Sequence, residues 1–419
     1  MTATVWRMLR LLVGGGFSQF LAIMSLPVIA RLYETEEIGE YNIFASMLML
    51  VGVIFSFGFN RVILMADNNI IGKVVNCYLS IIIIVVVFYL FFSFLIFLDV
   101  INFDIVYFYA LGLGIVFSLI LVFESLMYRF DKFGRQAIAH SFFSVVNHPV
   151  KIFFGAFFYF KQALLHITLA AYLFKLLIVF CFLLKEIRFL NIRPNIFGFW
   201  NDGRDVFFSH KDLFLYRYPQ TVMAAFGAHI PVIALGAIYG SVVAAYVGMA
   251  MGVLGAPIML LGNSIYNVLQ KRYSSTIGAL TYDVFGEYKI SLLILILISV
   301  FGVSFFYFFG ASLIKYIFGG EWVGLYEYIF IMSLWFVSML IAKPAMALVS
   351  SLDWDRYLLV LEVAFFFIRI FALVIFHIYS FEPLFAVFIF SVLSAIFYWV
   401  VIFVVYFIIR KGKYENITS

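Results

Sequence analysis

The sequence predicts an all-α polytopic membrane protein, with about twelve transmembrane helices in two six-helix bundles around a central cavity. Of its 419 residues, 66% are hydrophobic and 12% are charged, whereas a soluble domain has about 45–50% apolar and about 25% charged residues. Apolar runs of about 20 residues recur along the chain, and Lys and Arg gather between them on alternate sides. This composition excludes a disordered chain, a disulfide-rich secreted domain and a nucleic-acid-binding domain.

Charge clusters and turn residues divide the chain into predicted membrane-spanning helices. Each span needs about 20 mostly apolar residues, because its backbone must hydrogen-bond within the segment. The twelve predicted spans cover residues 11–30, 41–63, 74–98, 105–128, 136–160, 163–184, 213–238, 242–268, 289–309, 325–348, 357–379 and 383–409.

The Lys and Arg residues orient these spans. Nineteen of the 27 fall in loops on one side, five fall within spans, and the opposite loops hold only Arg31, Lys161 and Lys315. Positive residues resist translocation, so the sequence predicts that both termini are cytoplasmic. The first apolar run has no small-residue cleavage site, and we interpret it as a span and not as a signal peptide.

The two halves of the chain show a short repeat. The tetrapeptide Pro-Val-Ile-Ala at 27–30 recurs at 231–234. Chance similarity in a chain rich in Val and Ile is one explanation, and a duplicated six-helix unit is the other. Two such units share an orientation and are related by a pseudo-two-fold axis along the membrane normal. We therefore predict an N-terminal bundle at 1–184, a cytoplasmic linker at 185–212 and a C-terminal bundle at 213–419.

Basic residues within the spans are the candidate substrate-binding residues. An intramembrane cation costs roughly 2.5–3.5 kcal/mol facing lipid, so it is expected to face a wet cavity or a partner. Arg and Lys bind phosphate oxygens, which favours an anionic substrate. By position, three of these cations lie near mid-membrane, whereas Arg217 and Lys343 lie nearer the cytoplasmic end and could instead snorkel to the interface. The five candidates are Lys151, Lys175, Arg217, Lys343 and Arg369.

Acids and histidines within the spans form a second candidate group. Glu124 and Glu362 could bind a coupling proton or form internal ion pairs with the basic residues. Glu362 lies two helical turns before Arg369, too far for an ideal direct pair. His148 and His229 also lie within spans.

The sequence lacks the common catalytic motifs. It has no glycine-rich phosphate loop, no His-Glu-x-x-His metal site and no Gly-x-Ser-x-Gly turn. We therefore expect no catalytic residue, no metal and no cofactor. The two cysteines, Cys77 and Cys181, lie inside apolar runs and indicate no disulfide framework.

Several short motifs resemble those of polysaccharide-biosynthesis flippases of the Wzx type. They are Arg31-Leu32-Tyr33 with Gly39-Glu40-Tyr41, Gly58-Phe59-Asn60-Arg61, Tyr128-Arg129-Phe130-Asp131-Lys132-Phe133, Tyr218-Pro219-Gln220-Thr221, Pro231, Tyr246, Pro257 and Gln270-Lys271-Arg272. The resemblance covers nearly the whole chain and implies a MATE-like fold, in the superfamily of multidrug exporters and lipid II flippases.

The resemblance also implies a function and partners. The substrate would be an undecaprenyl-pyrophosphate-linked oligosaccharide, moved from the cytoplasmic to the periplasmic leaflet of a bacterial inner membrane for O-antigen or related polysaccharide synthesis. The other expected partners are membrane lipid, a polysaccharide polymerase and a chain-length regulator, with no nucleic acid.

Two alternatives remain open at this point. A cation-coupled multidrug exporter would favour acidic sites, whereas basic residues outnumber acids within these spans. A membrane-embedded polysaccharide polymerase or ligase typically carries a large external loop, whereas the longest loop here is the predicted cytoplasmic linker.

Overall fold

The computed structural model describes residues 18–67, 69–98, 104–158, 160, 162–190, 199–276, 284–352 and 354–410. Regular secondary structure in this part of the chain is helical throughout. The chain divides into two compact units, with the boundary between Ile233 and Ala234. The predicted division at 185–212 stays a prediction.

The N-terminal unit contains the first eight helices and the first part of the ninth. They are α1 (18–32), α2 (Thr35–Phe55), α3 (Phe59–Met65), α4 (Ile71–Phe97), α5 (Ile105–Arg129), α6 (Phe133–Phe157), α7 (Ala163–Phe189), α8 (Phe199–Ser209) and α9 (Tyr218–Tyr239), the last preceded by a π-helical turn at Leu213–Arg217.

The remaining six helices belong to the C-terminal unit. They are α10 (Ser241–Thr276), α11 (Val284–Phe318), α12 (Leu325–Ile341), α13 (Lys343–Ser351), α14 (Asp355–Tyr379) and α15 (Pro383–Arg410), with a short 3₁₀ turn at Gly320–Trp322.

Helix α5 is the centre of the N-terminal unit and packs against α2, α3 and α7. Phe44 and Leu48 of α2 pack there against Ala110 and Leu113 of α5, and all four are buried. A Cβ at Gly114 would lie 2.4 Å from a methyl group of Val51, so glycine permits the close approach of α2 and α5.

In the C-terminal unit, α12 packs against α10, α11 and α15. The buried ring of Trp335 on α12 meets Phe390 of α15 edge-on at 5.7 Å between ring centres. This packing places α15 beside both α12 and α14, and α14 carries Arg369.

Helix occupies most of the described part of every predicted span. Ten helical segments of the described chain, one of which is α12 and α13 together, are long and apolar enough to cross a membrane. The described part of α1 has only 15 residues, and α6 carries several polar side chains. The predicted all-α polytopic fold is confirmed. Residues 11–17, Lys161 and both termini lie outside the described residues.

The structure corrects one predicted span and adds detail to another and to the predicted linker. The second predicted span is two helices, because Phe57 and Gly58 have φ angles of 47° and 77° and end α2. The tenth span is confirmed as one segment of membrane length, Leu325–Ser351, in which regular α-helix is interrupted only at Ala342. Pro344 occupies the first turn of α13 there, a position that suits a residue without a backbone N–H. Helix α8 lies within residues 185–212, and the predicted cytoplasmic linker there stays a prediction.

Candidate functional site

Polar residues of the N-terminal unit gather on one face of α6. Gln136, His140, Ser144, Asn147 and Lys151 follow one another at intervals of three or four residues, so they share a helix face. All except His140 are buried. We call these five residues the polar face of α6, and it points into the protein, as expected for polar groups at membrane depth.

Three titratable side chains meet beside this face. The Lys175 ammonium of α7 lies 2.8 Å from Oε1 of Glu124 on α5, and Nε2 of His140 lies 3.2 Å from the same oxygen. The Lys175 side chain is only 4% exposed. A buried cation is tolerated when an opposite charge contacts it directly, and Glu124 supplies that charge here. We call these three residues the Glu124 cluster.

Lys151 is held by two tyrosines. Its ammonium donates a hydrogen bond of 2.9 Å to the Tyr41 hydroxyl and stands 4.2 Å from the centre of the same ring. The Tyr33 hydroxyl donates a 2.7 Å hydrogen bond to the Lys151 carbonyl. Burial, together with the charge of Glu37, raises the pKa of Tyr33 to about 12, which keeps this donor protonated. Lys151 is 1% exposed, so the phenol and its π-face replace the lost water.

The histidines predicted from the sequence lie in separate places. Nδ1 of His148 is 2.9 Å from the Ser25 hydroxyl of α1, whereas His229 is half-buried on α9. Oδ1 of the neighbouring Asn147 is buried without a hydrogen-bond partner among the described residues. Within that same part of the chain, no group of three or more His, Cys, Asp or Glu could hold a metal ion.

Arg369 of the C-terminal unit has mainly aromatic neighbours. Its guanidinium carbon lies 5.8 Å from the ring centre of Phe390 and 5.7 Å from that of Phe397, both on α15. Glu362 and Tyr398 interact with it electrostatically. Arg369 is 9% exposed, and its Nε has no hydrogen-bond partner among the described residues. An unsatisfied buried donor costs about 1–3 kcal/mol, and more on a charged group, so an incoming anion would relieve this cost.

Lys343 begins α13, directly after the helix break. Its ammonium lies 3.4 Å from Oδ1 of Asn263 on α10. A Cβ at Gly262 would come within 2.7 Å of the Lys343 side chain, so glycine at that position makes room for the lysine. Arg217 ends the π-helical turn before α9, and both cations are half-buried.

Comparisons with known proteins give matches of structure only. Neither the models of protein families nor the sequences of curated proteins match this chain. The solved structure of the lipid II flippase MurJ in an inward closed conformation is similar, with a TM-score of 0.69 and 14% identity over 97% of this chain and 89% of that one.

Two transporters of the MOP superfamily are similar as well. An inward-facing multidrug resistance MATE family transporter gives a TM-score of 0.66 at 12% identity, covering 96% of this chain and 95% of that one. A Pyrococcus furiosus transporter, described as having a binding pocket of reverse polarity, gives a TM-score of 0.57 at 13% identity, covering 98% of this chain and 95% of that one. This chain has a MATE-like fold. Identities this low show the fold and not the substrate.

Within the MATE-like fold, the predicted site residues separate into two kinds. Lys175 and Lys151 have close partners inside the N-terminal unit, so in this conformation their ammonium groups contact Glu124 and Tyr41. Arg369 keeps an unused donor, and Lys343 and Arg217 remain half-buried. Lys151 lies six residues before the end of α6 at Phe157, about 9 Å along the axis, and its predicted mid-membrane depth stays a prediction.

Sequence reasoning missed Tyr41, Tyr33, His140 and Asn263 as partners of these cations. The repeat of polar residues along α6 is a signal that indicates His140, since it falls in the same register as Lys151. The two tyrosines carry no such signal, because they lie among 26 tyrosines of a chain rich in aromatic residues.

Proposed function

We propose that this protein is a membrane transporter of the flippase type that moves a lipid-linked anionic oligosaccharide across a bacterial inner membrane. The substrate class is an undecaprenyl-pyrophosphate-linked repeat unit for O-antigen or a related surface polysaccharide. Movement runs from the cytoplasmic to the periplasmic leaflet by alternating access. Support comes from the MATE-like fold, which MurJ shares, and from the excess of basic over acidic residues within the spans.

The buried Arg369 carries this proposal. A guanidinium presents a planar set of donors that matches phosphate oxygens, and Nε of Arg369 has no acceptor within the described part of the chain. The rings of Phe390 and Phe397 limit its access to water, which strengthens its attraction for an anion. Arg369 would therefore bind the pyrophosphate.

Lys343 and Arg217 would supply further positive charge. Each is half-buried and lies next to an interruption of regular α-helix, at the start of α13 and at the end of the π-helical turn. Lys151 and Lys175 would contact a phosphate only after leaving Tyr41 and Glu124, so the proposal gives both a structural role, and their predicted binding role stays a prediction.

Deletion of the gene, followed by analysis of lipid-linked intermediates and surface glycan, tests the proposed function. Single complete repeat units on undecaprenyl pyrophosphate should accumulate at the cytoplasmic face, and surface polymer should disappear. Complementation with Arg369→Gln should fail at normal protein level, whereas Lys315→Gln, which removes an exposed lysine of α11, should restore the glycan. Repeat units that reach the outer face without lengthening would contradict the proposal and indicate a polymerase.

One observation favours a second candidate, a cation-coupled multidrug exporter. The Glu124 cluster places a carboxylate, an imidazole and an ammonium together in the interior of the N-terminal unit, and such a group can bind and release a proton. Unchanged surface glycan in the deletion strain, together with altered drug sensitivity, would favour the exporter.

A further inference from the structure

A cavity of about 610 Å³ lies in the N-terminal unit where α3, α4, α8 and the π-helical turn meet. Its apolar lining includes Phe59, Cys77, Ile81, Phe207 and Phe214. The volume falls within the range of about 300–1,000 Å³ that is usual for small-molecule sites. We call it the α8 cavity.

Close packing between α8 and α4 shapes this cavity. A Cβ at Gly203 would lie 3.2 Å from the Cys77 sulfur, so the two helices approach closely at that point. Val206, one turn further along α8, is buried in the same core as Cys77. The buried core residues Phe59 and Cys77 therefore form one side of the cavity, and core packing restricts their movement.

Aromatic rings complete the walls. The ring of Phe214 stacks on Phe207 at 5.6 Å and meets Phe59 edge-on at 5.5 Å. These three side chains offer no hydrogen-bonding group, and the Cys77 thiol is only a weak donor. A peptide or a sugar would leave its polar groups unsatisfied in such a cavity, whereas a hydrocarbon chain would not.

One cation lies among the lining residues. Arg204 of α8 is exposed, and its guanidinium carbon stands 5.8 Å from the ring of Phe208, which is also exposed. Helix α8 lies in the chain between two membrane-spanning helices, α7 and α9, and the sequence predicts the cytoplasmic side for it. An amphipathic helix in that position lies at the level of the lipid headgroups, where anionic lipids attract Lys and Arg.

We propose that the α8 cavity binds one acyl chain of an anionic phospholipid and that Arg204 binds its phosphate. The apolar walls select a hydrocarbon chain, and the single exposed cation selects a negatively charged headgroup. The cavity belongs to the N-terminal unit and Arg369 to the C-terminal unit, and the proposal does not depend on the transported substrate.

Native mass spectrometry of the full-length protein, with dioleoyl phosphatidylglycerol or dioleoyl phosphatidylcholine as the probe, tests this proposal. The wild type should retain one phosphatidylglycerol molecule in preference to phosphatidylcholine. Arg204→Gln should weaken phosphatidylglycerol binding by about fivefold, the size expected for one cation beside an anionic headgroup. Lys211→Gln, the matched control, removes an exposed lysine just after α8 that does not line the cavity, and should bind as the wild type does.

A second variant tests the cavity itself. Ile81 is a partly buried lining residue, so Ile81→Trp would place a larger ring in the path of the acyl chain and should abolish retention of the lipid. Equal retention of the two lipids by the wild type would overturn the proposal. It would be overturned equally if Lys211→Gln weakened binding as much as Arg204→Gln, or if a folded Ile81→Trp retained the lipid. Native mass spectrometry reports lipid retention and not transport of the oligosaccharide, so failure of this proposal is distinguishable from failure of the proposed function.

Discussion

Buried cations have different contacts in the two units. In the N-terminal unit, Lys175 contacts a carboxylate at 2.8 Å and Lys151 contacts a phenol at 2.9 Å. In the C-terminal unit, Arg369 is nearly as buried but stands beside the aromatic rings of Phe390 and Phe397, and its Nε has no acceptor among the described residues. All three cations belong to one class in the sequence, namely basic residues within predicted spans.

This difference indicates different roles. A cation that already has a close partner contributes to the internal packing of its unit. Removing the cation or its partner leaves the other group buried in a low-dielectric interior without its contact. A cation with an unused donor can gain a partner from a ligand at little cost. We therefore propose that partner geometry, and not depth in the membrane, separates the structural cations Lys151 and Lys175 from Arg369, the proposed binding cation.

Glu124→Gln should have the largest effect on stability. It would leave the Lys175 ammonium buried without a counter-charge, and breaking a buried pair in this way costs about 3–5 kcal/mol. The free energy of unfolding of the purified protein measures the loss. Glu382→Gln, at an exposed acid beside the start of α15, is the control and should leave stability nearly unchanged.

The double variant Glu124→Leu with Lys175→Met sharpens that prediction. Replacing both charges by apolar side chains should recover most of the stability lost in the single variant. A double variant as unstable as Glu124→Gln would show that the two charges do not act as a pair.

Tyr41→Phe should have the next largest effect. The change keeps the ring that Lys151 stands over and removes only the hydroxyl that accepts its hydrogen bond. We expect a loss of about 1–3 kcal/mol in the free energy of unfolding, the usual cost of leaving a buried charged donor unsatisfied. The exposed Tyr357 provides the matched Tyr→Phe control. An equal change in both variants would contradict the role assigned to Tyr41.

Alanine substitutions at two glycines of α6 should change stability in opposite directions, because only Gly155 lies against Tyr33. A Cβ at Gly155 would lie 2.7 Å from the Tyr33 ring, whereas a Cβ at Gly134 would meet nothing within 4 Å. Gly155→Ala should therefore destabilise the protein by about 1–3 kcal/mol through overpacking. Gly134→Ala should be neutral or stabilising by up to about 1 kcal/mol, the difference in helix propensity. Thermal unfolding of the two variants side by side checks both signs.

Arg369→Gln should have the smallest effect on stability. Loss of the guanidinium removes a buried charge that has an unused donor, which favours stability. It also removes the contacts with the rings and the electrostatic interaction with the half-buried Glu362, and these effects oppose the first. We expect a change within about 1 kcal/mol in the free energy of unfolding. A loss as large as that of Glu124→Gln would place Arg369 in the same structural class as Lys175.

The sequence was sufficient to predict the helices and the presence of intramembrane charge. Hydropathy predicted α4, α5 and α15 within a few residues, because each is a continuous apolar run of membrane length. Pro344 is a sequence signal for the break before Lys343, but proline also occurs inside α6, α9 and α10 without ending them. Whether a proline bends or ends a helix depends on the packing around it.

The partners of the cations could not be predicted. Glu124 lies 51 residues before Lys175 in the chain, and their contact depends on how α5 and α7 are rotated against each other. Tyr41 lies 110 residues from Lys151. Only helix packing brings such residues together, and small residues such as Gly114 determine that packing.

The most direct test of the central claim is the rate at which a pyrophosphate-linked oligosaccharide lipid is moved across proteoliposomes that contain the purified protein. We predict that Arg369→Gln lowers this rate by about 10- to 100-fold, the loss expected when a charged hydrogen bond to phosphate is removed. The folded double variant Glu124→Leu with Lys175→Met should retain most of the activity. Normal transport by Arg369→Gln together with loss of transport in the double variant would contradict this account, because it would assign substrate binding to the paired lysine.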